Sequence, residues 1–118
     1  MGIIVYGIPN CDTVKKARAW LADQGVDYAF HDFRKQGVPA ARLDAWLRAA
    51  GRDRLVNRQG TTWRRLESQD QLQAGNDAGA RALMLAQPSV IKRPVVEWAD
   101  GAITVGFDAE AWRLRRNA

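Results

Sequence analysis

The most constraining feature of this chain is its opening: a short apolar run, a cysteine-bearing loop, a helical repeat and a second apolar run. Ile3-Ile4-Val5-Tyr6-Gly7 is brief and β-branched, and Gly7 and Pro9 close it, so it reads as a buried strand rather than a helix. The loop Gly7-Ile8-Pro9-Asn10 follows. Val14, Ala17 and Leu21 then recur at helical spacing, with Lys15, Lys16 and Arg18 expected to face outward, and Gly25 suits the position just past a helix end. Val26 to Phe33, with Tyr28 and Phe30, carries the second strand signature. A strand–helix–strand unit of this length forces its two strands parallel, because only a long crossover returns the chain to the same end of the sheet.

Beyond this unit the pattern turns helical. Pro39 opens a helix with Leu43, Trp46, Leu47 and Ala50 on one face, and Gly51 stops it. A short helix is expected around Thr61–Ser68 with Trp63 and Leu66 inward. Another runs from a cap at Asp77 through Gln87, where Pro88 breaks it. Val95-Val96-Glu97-Trp98 and Ile103-Thr104-Val105-Gly106-Phe107, joined by Ala99-Asp100-Gly101, predict a β-hairpin, and Asp108 caps a last helix containing Trp112. The order βαβ, helices, ββα predicts one α/β domain without repeats, low-complexity segments or linkers. At 118 residues the chain can bury a core without help from metal or disulfide.

Several classes drop out. One cysteine excludes an intramolecular disulfide framework, and one histidine with one cysteine cannot furnish a structural zinc site. No apolar run approaches the ~20 residues of a membrane span, so no membrane partner is expected. Met1–Tyr6 lacks the basic and long apolar regions of a signal peptide, and a reducing cytoplasm is the expected compartment. The net charge of +5 comes from bases scattered along the chain, with no run of five and no recognition motif. Direct nucleic-acid binding is therefore not expected, and an arginine-rich genome or an anionic small substrate explains the surplus as well. His31, in the second strand, reads as a structural or surface residue rather than a base.

Cys11 stands where a strand gives way to a helix. The unpaired N–H groups of a first helical turn and the helix dipole both favour a thiolate, and the thiolate is the nucleophile. Lys15 and Lys16 add positive potential one turn on, and the Thr13 hydroxyl is placed in sequence to donate to the sulfur. A lone cysteine is often only a small buried hydrophobe, but the polar neighbours Asn10 and Asp12 argue against deep burial. Val14 and Ile8 occupy the positions that a CxxC motif would need, so any disulfide chemistry is monothiol and takes its second sulfur from outside.

Tyr6-Gly7-Ile8-Pro9-Asn10-Cys11-Asp12-Thr13-Val14-Lys15-Lys16-Ala17 resembles the N-terminal signature of the ArsC/Spx family, most of all its YffB branch of arsenate-reductase-related proteins and glutathione-dependent thiol reductases. Leu55-Val56-Asn57-Arg58-Gln59-Gly60-Thr61-Thr62-Trp63 resembles a second family block. The stretch from Leu83 to Val95, including Lys92-Arg93-Pro94, resembles a third, and Val105-Gly106-Phe107-Asp108 resembles the ending. The resemblance spans nearly the whole chain. It implies a thioredoxin-like (glutaredoxin-like) fold: a βαβ–ββα core of about 1–36 and 88–118, and a helical insertion of about 37–87.

It also implies roles. Cys11 would be the catalytic nucleophile. Asn10, Thr13, Lys15, Arg58, Arg93 and Pro94 would line the substrate site, with the Arg93–Pro94 peptide cis beside the cysteine and the two arginines holding an anion bidentately. Two departures stand out. Arsenate reductases of the family carry a histidine four residues before the cysteine, where this chain has Gly7. They also carry a third arginine after the second hairpin strand, where this chain has Val105-Gly106-Phe107-Asp108. The resemblance thus implies first a glutathione-dependent monothiol reductase with no bound cofactor and glutathione as co-substrate. Second comes an arsenate reductase coupled to glutathione or glutaredoxin. An Spx-like regulator that binds RNA polymerase ranks third, because Val14 replaces the second cysteine of the usual switch.

Overall fold

In the computed structural model, which describes residues 2–117, β1 (Ile3–Gly7) runs parallel to β2 (Tyr28–Asp32), with Ile3 opposite Tyr28 and Gly7 opposite Asp32. Helix α1 (Asp12–Asp23) makes the crossover. β1 also pairs antiparallel with β3 (Val95–Glu97), and β3 pairs antiparallel with β4 (Ile103–Val105), giving the sheet order β2-β1-β3-β4. This mixed four-stranded sheet with its parallel βαβ half and antiparallel ββ half is a thioredoxin-like arrangement.

The chain divides into two compact units, Met1–Gln36 with Arg93–Ala118, and Gly37–Lys92. In the first, alternation along the strands turns Val5 and Val96 to one face of the sheet. There they meet Ala17 and Leu21 of α1 and Trp112 of α8 (Ala109–Asn117), with Trp98 in the same cluster. Trp98 and Phe107 meet the Trp112 ring edge-on, at centroid distances of 5.0 and 4.7 Å, which is the packing that ring quadrupoles favour. The Trp98 indole N–H donates to Thr104 Oγ1 at 2.9 Å, so its one polar atom is satisfied. The turn between β3 and β4 places Gly101 at φ +90°, in the left-handed region that glycine adopts without a Cβ penalty. Asp108 caps α8 by accepting from Ala111 N.

Two details of this unit depart from the sequence pattern. Arg18 does not face outward: its Nε donates to Tyr28 Oη at 3.0 Å and its guanidinium lies 4.0 Å from the Phe30 ring centre, so it covers β2. The second strand stops at Asp32, and Phe33–Gln36 forms a short helix, α2. The buried Asp32 carboxylate accepts from Arg34 N, and Gln36 Oε1 accepts from Asp32 N. This reciprocal pair starts the helix at Phe33, the last residue of the expected strand.

In the Gly37–Lys92 unit, α3 (Ala40–Ala50) buries Leu43 and Trp46, while Leu47 and Ala50 are only half-buried. Gly51, at φ +84°, breaks the chain into α4 (Arg52–Leu55). The single helix expected around Thr61–Ser68 is two, α5 (Thr61–Arg65) and α6 (Ser68–Gln73), because Leu66 and Glu67 are both extended. Helix α7 (Asp77–Ala86) is capped by Asn76, whose Oδ1 accepts from Gly79 N at 2.8 Å. Asp77 takes the first helical position instead and pairs there with Arg52 at 2.9 Å. A 3-10 turn, Pro88–Val90, follows. Residues 88–92 group with this helical unit and not with the sheet: Asn57 N donates to Val90 O and Lys92 N to Leu55 O, both at 2.7 Å, around a Val56–Ile91 bridge. Among the described residues, no helix is long and apolar enough to cross a membrane.

Candidate active site

Cys11 is the N-cap of α1. Its backbone is extended (φ −94°, ψ 128°), its carbonyl accepts from Lys15 N at 2.9 Å, and its own N–H reaches back to Ile8 O at 3.4 Å. That turn ends the loop from β1 and places the cysteine at the positive end of a twelve-residue helix. Its side chain forms no capping bond, so the first-turn N–H groups keep their capacity for an acceptor, and it is only partly buried. Asn10, Thr13 and Lys15 are exposed around it. Among the described residues, no hydrogen bond joins the Thr13 hydroxyl to the sulfur.

Arg93 and Pro94 reach the same end of the sheet. β3 runs antiparallel to β1 with Val95 opposite Tyr6, so the residues just before β3 lie where β1 ends and the Cys11 loop begins. The Arg93–Pro94 peptide is cis, and the buried Pro94 accepts from Gly106 N at 2.8 Å. Gly7 holds the corner together. A Cβ there would sit 2.8 Å from Val14 Cγ2 and 3.8 Å from Arg93 Cβ. Val14 is fully buried and rotamer-restricted, so position 7 has no room for a side chain while Val14 stays where it is.

Arg93 is half-buried, and its Nε is buried without a hydrogen-bond partner among the described residues. A guanidinium N–H in that state retains a strong unmet demand for an acceptor. Nothing in the sequence pattern announces this. The state is tertiary: Arg93 directly precedes buried Pro94 and the start of β3 at Val95, and among the described residues no acceptor meets its Nε.

Arg58 belongs to the Gly37–Lys92 unit and is prepared differently. It is exposed, it pairs with Asp53 at 3.3 Å, and its guanidinium lies 5.4 Å from the centre of the Trp63 ring. It lines a cavity of about 400 Å³ with Asp53, Arg54, Asn57, Gln59 and Lys92. Asn57 Oδ1 accepts from Gln59 N, and the Asn57 amide packs where a Cβ on Gly60 would come within 2.9 Å, so the Asn57–Gly60 turn is closely fitted. The sequence offers a hint of this cleft in the charge-dense Arg52-Asp53-Arg54 run. The pairing of Asp53 with Arg58 needs the turn geometry. Among the described residues, no group of three His, Cys, Asp or Glu side chains could hold a metal ion.

Residues 6–114 match the model of the ArsC family. An uncharacterized protein of Haemophilus influenzae is 40% identical over 94% of this chain and 96% of its own length. Among solved structures, a YffB protein is 44% identical with a TM-score of 0.88, over 95% of this chain and 96% of its own. An arsenate reductase (ArsC) related protein from Brucella melitensis is 47% identical with a TM-score of 0.75, over 100% and 97%.

Proposed function

The chain belongs to the ArsC family, and we propose that it is a monothiol oxidoreductase in which Cys11 forms a mixed disulfide with glutathione. The observation that carries this reading is the buried Nε of Arg93, without a partner among the described residues, at the end of the sheet where the Cys11 loop begins. An anionic thiol substrate supplies the acceptor which that N–H lacks, and the positive end of α1 suits the anionic sulfur.

The chemistry balances with one protein sulfur. The Cys11 thiolate attacks the glutathione sulfur of a mixed disulfide, forming a Cys11–glutathione disulfide and releasing the other sulfur as a thiolate that takes up a proton. A second glutathione then attacks the adduct, regenerating the Cys11 thiolate and leaving as glutathione disulfide. Asn10, Thr13, Lys15 and Pro94 are assigned to substrate contact within the first unit, and Arg58 is assigned an anion contact of its own within the Gly37–Lys92 unit. Arsenate reduction is the second reading, because an unmet guanidinium N–H also suits an oxyanion. The Gly7–Val14 contact weighs against it, since it occupies the space that a histidine at position 7 would need.

Incubation with glutathione disulfide followed by intact-mass measurement should add one glutathione, and Cys11→Ser should add none. Absence of the adduct, together with glutathione-dependent arsenate turnover, would replace this reading with the second.

A further inference from the structure

The cleft around Arg58 contains an ion pair that a simple anion site would not want. Three cations, Arg54, Arg58 and Lys92, line it, but the Asp53 carboxylate sits among them, 3.3 Å from the Arg58 guanidinium. A bare dianion entering here would gain the cations and meet the carboxylate at close range. Like charges at such separations cost about as much as opposite charges gain. A ligand group carrying both signs on adjacent atoms fits better, with its cation on Asp53 and its anion on the bases. The volume of about 400 Å³ also lies within the range of small-molecule sites, roughly 300–1,000 Å³, and exceeds what a tetrahedral oxyanion fills. The carbonyl and amide groups of Asn57 and Gln59 offer neutral partners to peptide bonds. The cationic excess left after one zwitterion is matched accommodates a further carboxylate.

We propose that this cleft recognises the zwitterionic α-amino-acid end of a peptide thiol, its ammonium group on Asp53 and its carboxylate on the bases that line the cleft. Asp53 is then a specificity residue that admits an amino-acid head group and rejects a bare oxyanion. The inference rests on the monothiol reading only for the choice of glutathione as the peptide thiol.

The test uses S-methylglutathione, which has no free thiol and cannot form a disulfide, and its N-acetyl derivative, which lacks the ammonium charge. Titration of the full-length protein, followed by amide NMR, should shift Asn57, Arg58, Gln59 and Lys92. N-acetylation should weaken binding by about tenfold or more in the wild type, the worth of a hydrogen bond to a charged group. In Asp53→Asn it should matter by less than about twofold, because the partner is already gone. Lys92→Gln should weaken both ligands alike. Asp53 is exposed, and circular dichroism of each variant confirms the fold. Absence of shifts in these four residues, or an N-acetyl penalty unchanged in Asp53→Asn, overturns the inference. Glutathionylation of Cys11 is measured on the same preparations. An adduct without cleft shifts sinks the cleft and leaves the monothiol reading, and cleft shifts without an adduct do the reverse.

Discussion

Arg93 and Arg58 carry the same charge and answer to different physics. Arg93 rises from a backbone fixed by the start of β3, with its Cβ against the Gly7 corner and its Nε buried without an acceptor among the described residues. Arg58 stands in solvent on a short turn, already engaged by Asp53 and Trp63. An unsatisfied buried donor costs about 1–3 kcal/mol, a sizeable part of a stability of roughly 5–15 kcal/mol. An exposed ion pair contributes about 0–1 kcal/mol. The fold therefore gives up stability to hold Arg93 in place, whereas Arg58 can exchange partners at almost no cost. The first arginine is a rigid donor and the second an adjustable one.

Arg93→Met tests the rigid half and should have the largest effect. The stem is kept and the unmet Nε–H is removed. The rate of mixed-disulfide formation at Cys11 should fall about 10²-fold, as for loss of one preorganised donor, with no loss in the urea midpoint. Lost stability with an unchanged rate would make Arg93 a structural residue and erase the contrast.

The Gly7 corner sets how rigid that half is. Gly7→Ala drives a Cβ into the Val14 methyl, and overpacking of this kind costs about 1–3 kcal/mol, read as a lower denaturant midpoint. Val14→Ala opens a cavity and is destabilising alone. The double variant should be less unstable than the two losses added, by about 0.5–3 kcal/mol. Strict additivity would mean that the corner is loose and that Arg93 owes its position to something else.

Much of this was legible in the residues. The period-2 and period-3.6 runs located β1, α1 and the hairpin because each buries a face against one core, and the change from strand to helix period located Cys11 at the head of α1. What failed was set by side chains acting against the local pattern. Asp32 and Gln36 turn the end of the second strand into a short helix one residue early, Arg18 folds over Phe30 instead of entering solvent, and Asn76 takes the cap from its neighbour Asp77. The resemblance assigns residues 88–92 to the sheet core, yet they group with the helical unit and bond to the Leu55–Asn57 segment, a pairing more than thirty residues away that no local period reports. The roles proposed for Arg93, Pro94 and Arg58 came through likeness to the ArsC family and not from spacing. The unmet Nε of Arg93 and the Asp53–Arg58 pair are tertiary outcomes of equal charges meeting unequal surroundings.

The adjustable half yields smaller effects. Arg58→Ala should weaken binding of the anionic substrate by about tenfold, the scale of one charge-assisted hydrogen bond. It should leave stability within about 0.5 kcal/mol, as for a surface substitution. The smallest difference is also the most diagnostic. The Debye length is ~10 Å at 0.1 M salt and ~3 Å at 1 M, and exposed charges are screened while buried ones are largely spared. The affinity ratio of wild type to Arg58→Ala should therefore shrink toward one as salt rises over that range. The ratio of wild type to Arg93→Met should hold nearly constant, because the protein around the buried Nε excludes the screening ions. Parallel salt curves for the two variants would show that both arginines meet the ligand in the same solvent, and the distinction between a rigid and an adjustable donor would fall with them.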